Sequence, residues 1–313
     1  MISMRYHIVS LAAVFLALAL GIVLGATKIS GPLMTSLQSD KETLSSEHDQ
    51  LTTENQDLTG RVSADEKTAG SVAALTVRGT LPNTNVVLIT TATADPADRD
   101  AVLSLLSRAG ATVTAQIQVT NDFSDPARAD ELRSVATTTL PTGVTLPEVP
   151  QAGAIAGGLL GSVLIAPAGG AAPASAEQSA AVLAALTSAG FITVTGTPAA
   201  GQSVVILTGP QVTSGGSEAD RAAAVAYLAN QLSQSATGVV VAGRTGSEGE
   251  TGTVGVIRGD TALSANVTTV DNVDTATGRL AAVLGLVEQN GGGVGRYGFA
   301  DNAQAQVPTL AVG

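Results

Sequence analysis

The side chains able to bind a transition metal or to act as an imidazole base are few, and all of them lie near the N-terminus. The chain has no cysteine, and its methionines and histidines are confined to positions 1–48. A Ser-His-Asp site needs an imidazole beside the nucleophile, so the chain beyond residue 48 cannot contain one. We therefore predict neither catalytic residues nor a metal site. The residues concerned are Met1, Met4, Met34, His7 and His48.

A second group of candidate residues follows a predicted strand late in the chain. Asp271, Asp274 and Arg279 would bind a partner if they lie at the carboxyl end of that strand. The alternative is that Asp271 or Asp274 simply caps the next helix. We predict a partner-binding role for all three and no catalytic role. The glycine-rich stretches 243–255 and 291–295 lack the Gly-x-x-x-x-Gly-Lys pattern of a phosphate loop, so flexible loops are predicted there.

An apolar segment spans residues 8–26 and contains no charged residue. A helix needs about 20 such residues to cross a bilayer. A cleaved secretory signal is the alternative, but its apolar core would be only about 7–15 residues long. Arg5 precedes the segment and an acidic stretch follows Lys28, which favours a cytoplasmic N-terminus over residues 1–7. Arg5 is therefore a candidate contact for a cytoplasmic partner.

Two repeats predict that this anchor and the segment after it form a homodimer. Small residues recur every four positions in the anchor, a pattern that lets helices pack closely in lipid. Leucines then recur every seven residues, with a polar Asn55 that favours a parallel two-stranded coiled coil over 30–78. The alternative is one amphipathic helix lying on its own domain, and Gly60 or Gly70 could end it early. The predicted dimer contacts are Ala17, Gly21, Gly25, Leu37, Leu44, Leu51, Asn55 and Leu58.

Composition excludes several classes of function. The net charge of −11 and the isoelectric point near 4.5 argue against a nucleic-acid partner. Aromatic residues make up 2% of the chain and tryptophan is absent, so the usual stacking platform for sugars or bases is missing. The core must instead consist of Val, Leu, Ile and Ala.

From residue 81 onward, apolar runs alternate with helical patterns. Asn85–Thr91 and Ser203–Thr208 are continuous apolar runs, as expected of strands buried on both faces. Each precedes a helix and another strand, which predicts a layered, mostly parallel α/β sheet domain over 81–289 with helices on both faces. The segment 151–164 fits either a helix or a strand, and a flexible tail is predicted over 290–313. The other predicted elements are helices at 95–110, 125–136, 176–189, 218–232 and 274–288, strands at 112–119, 191–195, 238–242, 253–257 and 266–270, and loops at 141–150 and 169–175.

The chain resembles an actinobacterial family, copper transport protein MctB, to which the cell-separation protein SteB also belongs. The resemblance covers the whole chain in order and is most specific in its opening, ISMRYHIVSLAAVFLALALGIVLGA, and in VTTVDNVDTATGRLAAVLGLVEQNGGGVGRYG. It implies one of two functions. The first is copper homeostasis, as an exporter or an envelope channel. The second is control of a peptidoglycan hydrolase during cell separation, together with a cytoplasmic, SteA-like partner.

Because the body of the chain carries no soft metal ligand, the sequence favours the second function. We predict a non-enzymatic, single-pass cell-membrane protein with an extracytoplasmic domain, acting as a SteB-like regulator of a cell-wall hydrolase. MctB-like copper transport is the alternative, and copper would be the associated metal if the family name applies. No other cofactor is predicted.

The predicted coiled coil can be tested through its leucines. Replacing Leu44 and Leu51 by Asn should halve the mass of the detergent-extracted protein, because two apolar seam positions per chain are lost. Light scattering coupled to size-exclusion chromatography measures that mass. The matched control replaces Ser46 and Thr53, on the outer face of the same turns, by Asn and should stay dimeric. A double-leucine variant that keeps its oligomeric mass would show the heptad interpretation to be wrong.

Overall fold

The computed structural model describes residues 4–167, 170 and 172–309, apart from the side chains of residues 26–33. The chain divides into two compact units, 1–65 and 66–313. The first unit is entirely helical where it is described. The second unit contains a sheet with helices on both faces. Met1 and part of the predicted loop 169–175 lie outside the described residues.

Helix α1 (Met4–Thr76) runs without interruption through Gly60 and Gly70, where an early end was expected. Its first part, Met4–Gly25, is long and apolar enough to cross a membrane. The leucines of the heptad repeat are exposed on this helix in the single chain, at 53–68% of their maximal surface. The coiled coil and the dimer remain predictions.

The described residues of the second unit form a seven-stranded sheet of order β3-β2-β1-β4-β5-β6-β7. All neighbouring strands are parallel except β3, which is antiparallel to β2. The mostly parallel sheet predicted from the apolar runs is therefore confirmed. The strands are β1 (Asn85–Thr91), β2 (Thr112–Val119), β3 (Ile192–Thr195), β4 (Ser203–Thr208), β5 (Gly238–Gly243), β6 (Thr268–Val270) and β7 (Arg296–Tyr297).

Alternate residues of each central strand enter opposite cores, as the period of a strand requires. Val87 and Ile89 of β1 belong to the larger core, whereas Val86 and Leu88 belong to the other one. The larger core is covered by α3 (Ala129–Thr138), α4 (Ala152–Leu164), α5 (Ala176–Ser188), α6 (Glu218–Ser233), α7 (Thr253–Gly259) and α8 (Thr261–Ser264). The other core is covered by α2 (Pro96–Ala109), α9 (Ala276–Asn290) and the end of α1.

The end of α1 belongs to the second unit, residues 66–313, which we call the body. Ala73, in its last turn, and Val77, just beyond it, are fully buried in the core that α2 and α9 cover. The predicted boundary near residue 80 therefore lies later than the structural one, which separates Asp65 from Glu66. A helix propensity signal alone cannot show where one continuous helix starts to bury a face against another unit.

Two segments differ from their predictions, and a third had been left open between helix and strand. Residues 253–257 were expected to form a strand but belong to α7, because Val254 and Ile257 reach the larger core from a helix that packs near α6 and β5. The segment after Asn290 was expected to be a flexible tail, yet Arg296–Tyr297 pairs with β6 as an edge strand. The ambiguous segment 151–164 is the buried helix α4.

Helices α4 and α6 approach so closely that a side chain cannot replace the hydrogen of Gly153 without a clash. A Cβ on Gly153 would lie 2.1 Å from the Ala224 carbonyl oxygen, whereas on Gly161 of the same helix its nearest neighbour would be 3.7 Å away. Gly153→Ala should lower the free energy of unfolding by about 1–3 kcal/mol because it overpacks this contact. Gly161→Ala is the matched control and should be neutral or stabilising by up to about 1 kcal/mol. Urea denaturation of the full-length protein in detergent measures both, and equal stabilities would contradict the close packing.

Candidate functional site

The direction of the chain through the sheet reverses between β1 and β4, and a cleft lies there. From β1 the chain builds β2 and β3 on one side, and then returns to place β4, β5, β6 and β7 on the other. Open α/β sheets bind ligands at such a switch point, beyond the carboxyl ends of the strands. A cleft of about 440 Å³ is lined by Thr91, Val119 and Thr208, the last residues of β1, β2 and β4. We call it the switch-point cleft.

Two loops are held together at the floor of this cleft. The Thr93 hydroxyl lies 3.0 Å from that of Thr91 and accepts a hydrogen bond of 3.2 Å from the backbone N–H of Gly209. Only glycine permits this approach, because a Cβ at position 209 would lie 2.4 Å from the Thr93 carbonyl oxygen. This hydrogen bond and this close approach join the loop after β1 to the loop after β4.

Residues that carry a hydroxyl group make up nearly half of the lining of the switch-point cleft. Thr208 and Thr253 are each only 5% exposed, and neither side chain has a hydrogen-bond partner within the part of the chain that the structure describes. Such hydroxyls both donate and accept hydrogen bonds, so they suit water or a small polar molecule. The other hydroxyl and amide residues of the lining are Thr91, Thr93, Thr120, Asn121, Ser124, Ser214, Ser217 and Thr251.

The two charged residues in the cleft lining, Glu218 and Arg221, come from the first turn of α6. The Arg221 guanidinium donates to the carbonyl oxygen of Asn121 at 2.9 Å and lies 3.1 Å from Oδ2 of Asp125. The pKa of Asp125 lies below its ordinary value, chiefly because the carboxylate accepts from the backbone N–H of Ala127, and also because of Arg221. The cation is thus positioned by the loop after β2.

The switch-point cleft combines hydroxyl groups with one carboxylate and one guanidinium group. It contains no histidine or cysteine, and so no imidazole base or thiol nucleophile. The sequence analysis did not identify it, because its residues come from four separate loops of ordinary Thr and Ser composition. The one available signal was the carboxyl ends of the predicted strands.

Asp271, predicted to bind a partner, lies in the interior instead. Its side chain is 2% exposed and accepts a 2.7 Å hydrogen bond from Arg258, whose side chain is equally buried. The Arg258 guanidinium also donates to the carbonyl oxygen of Tyr297, and the Asp271 carboxylate accepts from the backbone N–H of Phe299. The pair thus joins α7, β6 and β7, and Asp271 does not reach a partner surface.

Asp274 and Arg279 lie in a different network. The alternative prediction, that Asp271 or Asp274 caps α9, is wrong for both residues. Asp274 accepts a 2.9 Å hydrogen bond from the backbone N–H of Thr245. The side chain that caps α9 is that of Thr275, which accepts from the backbone N–H of Gly278. Asp274 and Arg279 remain candidates for a partner surface, separate from Asp271.

Arg279 connects three elements around a buried carboxylate that the sequence analysis missed. Its guanidinium lies 3.4 Å from Asp98 of α2 and 3.7 Å from Glu66 of α1. Arg244, after β5, lies 3.1 Å from the other oxygen of Asp98. Burial raises the pKa of Asp98, and the two arginines oppose that rise. The Glu66 carboxylate also accepts from the backbone N–H of Ala276, at the start of α9.

The remaining predicted residues lie on α1. Arg5 and the eight predicted dimer contacts belong to this helix, and no contact with a second chain tests them. Among the residues that the structure describes, no three His, Cys, Asp or Glu side chains are grouped so that they could hold a metal ion. The predictions for the dimer contacts and for Arg5 therefore stay predictions.

Comparisons with known proteins relate the whole chain to one family. A family model described as "Copper transport outer membrane protein, MctB" matches residues 1–308. The protein named "Copper transporter MctB" from Mycobacterium tuberculosis (strain ATCC 25618 / H37Rv) is 38% identical over 314 residues, which cover 97% of this chain and 98% of the relative. A protein of the same name from Mycobacterium bovis shows the same values, and one from Mycobacterium leprae is 36% identical over 312 residues, with the same coverage.

The buried ion pair predicts a large effect on stability. Arg258→Gln should lower the free energy of unfolding by about 3–5 kcal/mol, because it leaves the Asp271 charge buried without its partner. Arg133→Gln is the matched control. Its pair with Asp130 is exposed, at 40% and 91% of the side-chain surface, and should contribute about 1 kcal/mol or less. Chemical denaturation of both variants measures the difference, and similar losses would contradict the structural role of the buried pair.

Proposed function

The chain belongs to the MctB family of copper transport proteins, and from that premise we propose that it is a membrane-anchored component of copper handling in the cell envelope. The observation that carries the proposal is the match over residues 1–308, which includes the apolar start of α1 as well as the whole sheet. The family description refers to the outer membrane. The relatives that match along nearly the full length are named as copper transporters.

The chemistry of the chain limits how it could handle copper. Copper(I) prefers thioether, thiolate and imidazole ligands, and these occur here only at positions up to 48. Met4 and His7 are three residues apart at the start of α1, a spacing that places two side chains on neighbouring positions of one helix face. Although the sequence alone predicted no metal site, the family match leads us to propose that these two residues make the chain's contact with copper at the beginning of the apolar segment.

One apolar helix encloses no path for an ion, because a pathway needs several helices around it. The part of the chain that the structure describes has a single helix able to cross a membrane. We therefore propose that copper handling requires an assembly, with the predicted homodimer as its smallest unit. In this proposal the N-terminus is cytoplasmic, the body lies outside the membrane, and the body binds other molecules without catalysing a reaction.

The sequence favoured regulation of a cell-wall hydrolase, with a SteA-like cytoplasmic partner, and left copper transport as the alternative. The comparisons support that alternative, and none of them names a hydrolase or a cell-separation protein. The gene deletion described next distinguishes hydrolase regulation from copper handling.

The proposal is tested by deleting the gene in its source organism. The deletion strain should accumulate several-fold more copper and grow less well under copper load, with zinc as the control metal. Cellular copper is measured by inductively coupled plasma mass spectrometry. The wild-type gene should restore copper content, whereas Met4→Leu combined with His7→Gln should not.

Met34→Leu combined with His48→Gln is the matched control, because it removes the same two residue types further along α1. This variant should restore copper content. If the deletion leaves copper content and tolerance unchanged, the copper proposal is wrong. If unseparated cells then accumulate, the result favours regulation of a hydrolase.

A further inference from the structure

The basic residues of the body are not paired evenly. From residue 66 onward the sequence has 11 basic and 19 acidic residues. Seven of the basic residues lie within 4.0 Å of a carboxylate. In the part of the chain that the structure describes, the four without such a partner are Lys67, Arg78, Arg108 and Arg296. With carboxylates in excess, unpaired cations need an explanation.

Three of these four cations line one cleft. Lys67 comes from α1, Arg78 from the turn after α1 and Arg108 from the last turn of α2. The cleft has a volume of about 600 Å³, and no carboxylate is among its lining residues. All three side chains are exposed. We call this site the basic cleft.

The backbone brings these distant residues together. The chain turns sharply after Arg78 because Gly79 adopts a φ of +71°, which favours glycine. The backbone N–H of Gly79 then donates to the carbonyl oxygen of Arg108, and that of Leu81 donates to Ala109 at 2.9 Å. The turn after α1 is thus joined to the end of α2, and the two arginines are fixed as neighbours.

Helix dipoles explain only part of this arrangement. A cation near the last turn of a helix is stabilising by about 0.3–1 kcal/mol, which accounts for Arg78 after α1 and Arg108 in α2. Lys67 lies well before the end of α1, in the interior of the helix. Three like charges in one cleft also repel each other and concentrate a positive potential there. Helix dipoles therefore explain neither the position of Lys67 nor the presence of three cations in one cleft.

We propose that the basic cleft binds a small phosphate-bearing anion. Two guanidinium groups and one ammonium group match the oxygens and the multiple charge of a phosphate or pyrophosphate group. The surrounding body is net negative, so an extended polyanion would be repelled beyond the cleft, whereas a compact anion would meet only the three cations. The ligand is either a soluble phosphate compound or the head group of a phospholipid, since the two share this chemistry.

The test uses the full-length protein in phosphatidylcholine nanodiscs, so that lipid already surrounds the apolar segment. Pyrophosphate binding is measured by titration calorimetry at low salt, and binding to separate vesicles that contain phosphatidic acid is measured by flotation. We expect saturable binding that weakens as salt is added. Lys67→Gln, Arg78→Gln and Arg108→Gln should each weaken it about tenfold, as expected for loss of one charge-assisted hydrogen bond.

Arg296→Gln is the matched control, because Arg296 is also unpaired with a carboxylate but lies on β7, outside the cleft. Its binding should equal that of the wild type. Binding of pyrophosphate identifies a soluble ligand, and binding of the vesicles alone identifies a head group; either supports the proposal. The proposal is overturned if neither probe binds, or if the variant that carries all three substitutions binds like the wild type. Polyglutamate serves as a third probe. If it alone binds, the proposal is also overturned, and the result indicates an acidic protein partner.

Discussion

A parallel sheet that is buried on both faces needs a layer of helices on each face, and this requirement determines the rest of the structure. With aromatic residues at 2% of the chain, the layers must be filled by small aliphatic side chains. Small side chains fill the space only if the backbones approach closely, as α4 and α6 do at Gly153. On the opposite face, the layer is completed by Ala73 and Val77 at the end of α1. That end of the helix is part of the core, so it cannot detach without exposing apolar surface to water.

Charge pairing closes the carboxyl edge of the sheet where the hydrophobic layers end. The Arg258–Asp271 pair links α7 to the edge strand β7, and the group around Asp98 links α2, β5, α9 and α1. In both groups the charges of the chain pair with one another, which is typical of structural ion pairs. The switch-point cleft differs, because the hydroxyls of Thr208 and Thr253 in its lining have no hydrogen-bond partner within the described chain. The ion pairs and the open cleft therefore occupy different parts of one edge of the sheet.

Local patterns predicted the central strands and helix starts, because these depend on nearby residues. Unbroken apolar runs identified β1 and β4, and Asp95-Pro96 identified the start of α2, where the Asp95 carboxylate accepts from the backbone N–H of Ala97. The misses depend on distant contacts. Residues 253–257 have the β-branched composition of a strand, but β6 occupies the place beside β5. Asp271 resembled a helix cap on the surface because its partner, Arg258, lies on another element. The charged residues around Asp98 come from positions as far apart in the sequence as 66 and 279.

A family name that refers to copper has to be reconciled with a body that offers copper(I) only oxygen and nitrogen ligands of the wrong kind. Beyond residue 48 there is no thioether, thiolate or imidazole, and soft ions bind weakly to carboxylates and hydroxyls. A spanning helix also satisfies its backbone groups internally, so a single copy provides no polar path through lipid. Soft ligands and the apolar segment coincide only at the start of α1. This coincidence is the reason for proposing that direct contact with the metal is made there, between associated copies.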